Sequence, residues 1–258
     1  MKALIFAAGL GTRLKPITDT MPKALVPVGG KPLIEHVARK LKASGVDSAV
    51  VNVHHFADMI EEWVDGQDIM PMGISDERDC LLETGGGIYH ARPLLEGCGR
   101  FLVHNVDIIS DLDIQWFASQ VREDAIATLL VSDRKTSRYL LFDPETMRLV
   151  GWTNVTTGEV RSPYADLDMT KCLKLAFSGI HIMSDMVFAV LDEYAREKYQ
   201  GVSAPRFPIM DFYLDACARS GIYGVVAENL RLVDVGKFDT LEAAEGVLRE
   251  LEMTGNNK

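Results

Sequence analysis

Residues 7–18 read Ala-Ala-Gly-Leu-Gly-Thr-Arg-Leu-Lys-Pro-Ile-Thr, and residues 22–28 read Pro-Lys-Ala-Leu-Val-Pro-Val. The apolar run that leads into them, residues 3–7, is too short for a membrane helix and has no polar cleavage region behind it, so it reads as a buried strand. Glycines directly after a buried strand let the backbone approach a ligand closely and aim N–H groups at an anion. Arg13 and Lys23 add full positive charges, so the stretch reads as a polyphosphate cradle. A dinucleotide fingerprint would need glycine where Leu14 stands, and a Walker A loop would need Gly-Lys-Ser or Gly-Lys-Thr, which is absent.

Outward from this loop, strand and helix signals alternate. A helix is expected from Pro32, with Leu33, Ile34, Val37 and Leu41 on one face and Gly45 as its stop. A strand at 48–53, a helix at 57–64, a strand at 72–75, a helix at 87–95, a strand at 101–104 and a helix at 114–121 follow. This alternation argues for an α/β fold, a mixed and mostly parallel sheet flanked by helices. After residue 125 short β-type runs take over at 125–131, 139–142, 149–152 and 173–183. Helices are expected at 185–194 and 209–218, strands at 222–227 and 230–233, and a closing helix at 238–251. No internal repeat or low-complexity linker appears, and residues 256–258 read as a frayed tail. One domain, 1–258, is the economical reading.

The 258 residues are 47% apolar and carry 27 Lys+Arg against 37 Asp+Glu, a net charge of −10. Residues 1–31 hold Lys2, Arg13, Lys15, Lys23 and Lys31 against Asp19 alone, a local +4 that leaves −14 for the rest. An acidic body without a basic stripe disfavours nucleic-acid and anionic-membrane binding, while a small anion at one basic spot stays possible. Cys80, Cys98, Cys172 and Cys217 show no Cys-x-x-Cys spacing. That suits reduced thiols in a cytoplasmic enzyme rather than a disulfide framework or zinc site.

The string Gly9-x-Gly11-Thr12-Arg13-Leu14-x-Pro16-x-Thr18 followed by Pro22-Lys23-x-Leu25-x-Pro27-Val28 resembles the sugar-1-phosphate nucleotidyltransferases. Further segments match along most of the chain: Leu82-Glu83-Thr84-Gly85-Gly86-Gly87-Ile88, Asn105-Val106-Asp107, Phe177-Ser178-Gly179-Ile180 and Val233-Asp234-Val235-Gly236. The Glu-Thr-Gly-Gly-Gly form is most similar to N-acetylmuramate-1-phosphate uridylyltransferases, with mannose-1-phosphate and heptose-1-phosphate guanylyltransferases close behind. The resemblance implies a single Rossmann-like, GT-A-like nucleotidyltransferase domain. Residues 1–124 would form a nucleotide-binding half, and residues 125–258 a smaller β-rich sugar-binding half that returns a second metal aspartate.

The same resemblance implies site residues. Arg13 and Lys23 would be catalytic; Ala7, Ala8, Gly9, Gly11, Thr12, Arg13, Lys23, Thr84, Gly85 and Gly86 would bind the nucleotide. Asp107 and Asp234 would hold Mg²⁺, and Gly179, Asp211 and Lys174 would meet the sugar phosphate. Independently, both aspartates follow apolar strands at the sheet edge where ligands of open α/β sheets bind, and a hard cation that keeps water and phosphate ligands needs few carboxylates. A strand-end aspartate also serves turns and helix caps, Asp211 reads equally as an exposed helix residue, and Lys174 as a solvated strand-edge lysine. His54 and His55, after the second strand, fit either a base contact or a surface role. Trp152 and Tyr164 fit either a sugar pocket or the second core.

Two departures from the family pattern stand out: Val106 replaces a usual glycine, and Lys237 follows Asp234-Val235-Gly236 where threonine is common. They motivate an alternative, a non-catalytic sugar-nucleotide sensor. The leading expectation is an enzyme of the cytoplasm and of cell-wall metabolism, a monomer or homodimer, joining a nucleoside triphosphate, UTP by preference, to a sugar-1-phosphate.

Overall fold

A computed structural model describes the backbone of residues 1–255 and the side chains of residues 1–251. The tail expected to fray, residues 256–258, lies outside the described residues. In chain order the strands are β1 (Lys2–Phe6), β2 (Pro27–Val28), β3 (Lys31–Pro32), β4 (Ser48–Val53), β5 (Met72–Asp76), β6 (Arg100–Asn105) and β7 (Ile108–Ser110). They continue with β8 (Ala125–Ser132), β9 (Arg138–Phe142), β10 (Leu149–Asn154), β11 (Glu159–Arg161), β12 (Leu173–Ser184), β13 (Gly221–Val226) and β14 (Leu232–Asp234). The helices are α1 (Leu33–Ala43), α2 (Ala57–Gly66), α3 (Glu83–His90), α4 (Arg92–Leu95), α5 (Ile114–Ser119), α6 (Val187–Tyr199), α7 (Ile209–Ala216) and α8 (Phe238–Gly255). No helix of the described residues is long and apolar enough to cross a membrane.

The chain divides into two compact units, each made of separate segments. The first holds residues 1–81, 103–115 and 229–258, and the second holds residues 82–102 and 116–228. In the first unit β4 lies between β1 and β5, with both ladders parallel and in unbroken register, Leu4 opposite Val50 and Val51 opposite Ile74. The end of β6 lies on the other side of β1. β1 and β4 read as near-continuous apolar runs because both of their faces are covered. Helix α1 buries Leu33, Ile34, Val37, Ala38 and Leu41, the i, i+3, i+4, i+7 stripe expected, and ends where Gly45 takes a φ of 77°.

A short ladder was not foreseen: β7 pairs antiparallel with β14, setting Ile108 opposite Asp234 and Ile109 opposite Val233. Three residues carry no readable alternation, so the sequence could not show it.

The second unit is built on antiparallel pairs, β11-β10-β9-β12-β8, to which β13 adds parallel to β8. Its core is aromatic, with Phe101 stacked on Phe188 at 5.7 Å and Tyr194 packed on Phe207 and Phe212. Ring pairs of this kind add about 0.5–1.5 kcal/mol each beyond the area they bury.

The helix expected at 87–95 starts four residues earlier, at Glu83, and breaks at Ala91, with Pro93 in the separate turn of α4. Three consecutive glycines argue against a helix by propensity, yet here they lie inside one because another segment needs the room. A methyl group on Gly86 would lie 2.3 Å from the carbonyl oxygen of Pro205, and one on Gly85 would lie 2.4 Å from the Phe207 ring. Gly86→Ala should therefore be destabilising, although alanine is the better helix former by up to about 1 kcal/mol. Overpacking against main chain costs about 1–3 kcal/mol or more, so the urea midpoint should fall. Gly66→Ala, at the end of α2 with no atom within 4 Å of its added methyl, should leave the midpoint unchanged or raise it.

Candidate active site

The glycine loop leaves β1 at Phe6 and winds through three short turns of 3-10 helix before β2. Ala7 and Ala8 are buried, and their N–H groups both donate to Asn52 Oδ1 on β4, at 2.7 and 3.3 Å. Gly9 has open space beside its Cα. Gly11 takes a φ of 62°, and a methyl group there would lie 2.9 Å from Thr18 Cγ2 and 3.1 Å from Lys23 Cβ. This is a position only glycine fills without strain. Its carbonyl accepts from the Leu14 N–H at 2.8 Å and from the Thr18 hydroxyl at 2.9 Å. Leu14 is the buried anchor of the turn, and Thr12 and Arg13 just before it are exposed.

Four charged residues named from the sequence come together in the first unit. Lys23, 8% exposed, forms an ion pair with Asp107. Asp107 lies between β6 and β7, and its carbonyl accepts from the Val235 N–H at 2.8 Å, which joins the two aspartate segments directly. Asp234 ends β14. A methyl group on Gly236 would lie 2.8 Å from Arg13 Nη2 and 2.9 Å from Asp234 Oδ1. Gly236 is therefore the floor over which the Arg13 guanidinium and the Asp234 carboxylate meet. Its role could have been read from the Asp-Val-Gly string, but the contact with Arg13 could not.

Two features suit a divalent cation that keeps water and phosphate ligands. Two carboxylates are tied to one ladder end, and a side-chain-free glycine lies beside one of them. No group of three or more His, Cys, Asp or Glu side chains suited to a metal occurs among the described residues.

Neither family departure distorts the site. Val106 does not adopt a positive φ; it is buried, and its N–H donates to Phe6 O at 3.1 Å. The backbone at 106 therefore has no need of glycine. Lys237 is exposed just before α8, where its N–H donates to Thr240 Oγ1 at 3.1 Å and its carbonyl accepts from the same hydroxyl at 2.7 Å.

The remaining candidates lie in the second unit. The N–H groups of Gly85 and Gly86 donate to Phe207 O at 2.9 and 3.1 Å, and Thr84 Oγ1 accepts from the Ile209 N–H at 2.9 Å. Gly179 has a φ of 76° at the point where the β12–β8 register shifts, the backbone of a bulge. Asp211 is paired with Arg161 at 2.7 Å, and that guanidinium lies over the Trp152 ring at 6.0 Å. Arg161, on the three-residue strand β11, was missed because nothing in its neighbourhood marks it. Lys174 is exposed on β12 opposite Leu141. An open groove of about 810 Å³ on this unit is lined by Pro144, Val150, Tyr164, Leu167 and Lys171 among others, and by none of Gly179, Asp211 and Lys174.

Comparison with known proteins bears on the family and the fold. Residues 2–141 match the family model described as nucleotidyl transferase. The chain is 35% identical over 257 residues to N-acetylmuramate alpha-1-phosphate uridylyltransferase of Caulobacter vibrioides, covering 96% of this chain and 97% of that protein. It is 44% identical over 115 residues to the protein of the same name from Neisseria meningitidis, covering 44% of this chain and 49% of that one. Among solved structures, a UDP-glucose pyrophosphorylase complexed with UDP-glucose aligns with a TM-score of 0.72 at 17% identity, over 96% of this chain and 98% of that one. At that identity the likeness speaks for the fold.

Proposed function

Because the chain belongs to the nucleotidyl transferase family, we propose that it joins UTP to a sugar-1-phosphate, N-acetylmuramate-1-phosphate before others, releasing pyrophosphate. The observation that carries this reading is the meeting of Arg13, Lys23, Asp107 and Asp234 around Gly236 and the Asp107–Val235 hydrogen bond. The choice of UTP and of an N-acetylmuramate sugar is supported by the named activity of the Caulobacter relative, which matches over nearly its whole length.

The chemistry asks for little beyond placement and charge. A phosphate monoester has its second pKa near ~6, so the sugar phosphate arrives largely dianionic and needs no general base. Two polyanions must be brought in line, which is work for fixed cations and backbone dipoles. Arg13, exposed at the end of its turn, binds oxygens of the departing pyrophosphate. Lys23, held by Asp107 in a nearly closed position, presents its ammonium to phosphate at the reacting centre. A divalent cation, Mg²⁺ in this proposal, would be held by Asp107 and Asp234 and would supply charge neutralisation at the phosphates. Thr84, Gly85 and Gly86 are the proposed base-side contacts, through groups other than the N–H bonds already made to Phe207. Gly179, Asp211 and Lys174 are the proposed sugar-side contacts. We take 1–258 as one functional domain, working in the cytoplasm as a monomer or homodimer. The sensor reading loses its support, since Val106 and Lys237 sit without strain.

A pyrophosphate-release matrix tests the proposal, with UTP, GTP, CTP and dTTP each offered N-acetylmuramate-, glucose-, mannose- and heptose-1-phosphate. The highest kcat/KM is expected for UTP with N-acetylmuramate-1-phosphate. Turnover confined to GTP with mannose- or heptose-1-phosphate would replace the uridylyl assignment, and no turnover with any pair alongside tight nucleotide binding would return the sensor.

A further inference from the structure

Behind the nucleotide loop lies a buried polar relay that the reaction chemistry does not use. Asn52 is 2% exposed and Glu77 is 3% exposed. The Asn52 side-chain oxygen takes both the Ala7 and the Ala8 N–H, and its Nδ2 donates to Glu77 Oε1 at 2.8 Å. The orientation of the amide is forced by its main-chain partners. Main-chain N–H groups can only donate, so oxygen must face Ala7 and Ala8, which leaves the amide nitrogen to face Glu77 Oε1. Glu77 is fixed in its turn: its N–H donates to Val53 O at 2.8 Å, and its carbonyl accepts from Cys80 N–H at 3.0 Å and from His54 Nδ1 at 2.7 Å.

A buried carboxylate is a poor way to stabilise a sheet. Burying a polar side chain carries a desolvation cost that its hydrogen bonds largely offset, and apolar residues of similar shape often do as well or better. What the relay supplies is position. Ala7 and Ala8 are the last residues before Gly9, which no neighbouring side chain or backbone hems in, so the direction in which the loop leaves β1 is set by the two N–H bonds to Asn52. From there the chain runs through the left-handed Gly11 to Arg13, whose guanidinium must reach Gly236 and Asp234.

We propose that Asn52 is a positioning residue for the nucleotide triphosphate, aligning the phosphate loop through Ala7 and Ala8, and that Glu77 positions Asn52. The inference rests on the nucleotidyl transfer reading. Its test uses nucleotide affinity as well as turnover, so the two can fail separately.

UTP affinity by calorimetry, UTP and sugar-phosphate KM, kcat and melting temperature would be measured for Asn52→Ala, Asn52→Asp, Glu77→Gln, Glu77→Leu and the pair Asn52→Asp/Glu77→Gln. Asn52→Ala and Glu77→Leu should weaken UTP binding and raise its KM by about tenfold or more, with the sugar-phosphate KM within about twofold of wild type. Glu77→Gln, whose amide oxygen still accepts from Asn52, should stay within about threefold of wild type. Asn52→Asp sets two carboxylates against each other and should bind UTP poorly. Adding Glu77→Gln to it restores a donor facing an acceptor and should recover most of the loss, an outcome that packing alone does not produce. The proposal is overturned if UTP affinity is unmoved in Asn52→Ala, if both substrates lose KM equally, or if the pair binds no better than Asn52→Asp alone. Glu77→Gln keeps volume and hydrogen-bonding capacity, so it reads the relay even where a truncating variant fails to fold. Absence of turnover in wild type with UTP affinity intact would sink the enzyme reading and leave the relay to be judged by binding.

Discussion

Asp107→Asn is expected to lower pyrophosphate release from UTP and sugar-1-phosphate by roughly 10²–10³-fold while the protein remains folded. The substitution keeps the shape of the side chain and its place after β6, and the Val235 N–H still finds the main-chain carbonyl of residue 107. It removes the charge, and with it both the partner of Lys23 and one of the two carboxylates that would hold the cation. Losing one fixed electrostatic contact to the reacting phosphates costs about 3–4 kcal/mol of transition-state stabilisation. Lys23→Ala should give a loss of similar size. Because the two residues are paired, the double variant should lose clearly less than the product of the single losses. Rates would be followed by pyrophosphate release and folding by melting temperature. A variant with less than a tenfold loss at either position would remove the Lys23–Asp107 pair from the site.

The second large effect is on stability in acid. His104 and His181 are fully buried, and burial holds their imidazoles neutral, with pKa values lowered to about 4 and about 3. His104 also feels the Lys40 ammonium, and its Nε2 has no hydrogen-bond partner among the described residues. His181 is paired with the Tyr213 hydroxyl at 2.6 Å. Above pH ~6.5 both rings are neutral in folded and unfolded chains alike and contribute nothing to the pH dependence. Between pH ~6.5 and the folded values only the unfolded chain takes up the protons, so stability falls as pH falls. At pH 5 each histidine should cost about 2 kcal/mol relative to neutral pH. Urea midpoints at pH 7.5 and 5.0 measure the drop, and His181→Gln should remove close to half of it. An equal drop in that variant would show that His181 is solvated or charged in the native protein.

How much could be read in advance depended on how local the determinant was. The parallel β1–β4–β5 sheet and the α1 stripe followed from apolar period and turn residues, and the tight turn out of β1 followed from glycines behind a strand. Asp107 and Asp234 were nameable, but the three-residue ladder that joins their segments was not, because β7 is too short to carry a pattern. Helix α3 was placed late since Gly85, Gly86 and Gly87 oppose helix formation locally; the demand they meet comes from Pro205 and Phe207, more than a hundred residues away. Nothing in the sequence marks Asn52 and Glu77 apart from ordinary polar residues near strand ends. Only the partners crowded round them, across β1, β4 and the turn after β5, distinguish them from solvated ones.

The β7–β14 ladder also bears on how the protein comes into being. Arg13, Lys23 and Asp107 leave the ribosome early, whereas Asp234 follows only after residues 116–228, nearly all of the second unit, have been made. Closing so distant a pair is slow by loop entropy unless the intervening chain is already compact. A second unit that folds during synthesis would bring residues 108–110 and 232–234 within reach of each other. On the proposed function, the glycine loop is therefore present in the nascent chain well before the site is complete, and the site would be complete only when translation has passed β14, the strand that carries Asp234.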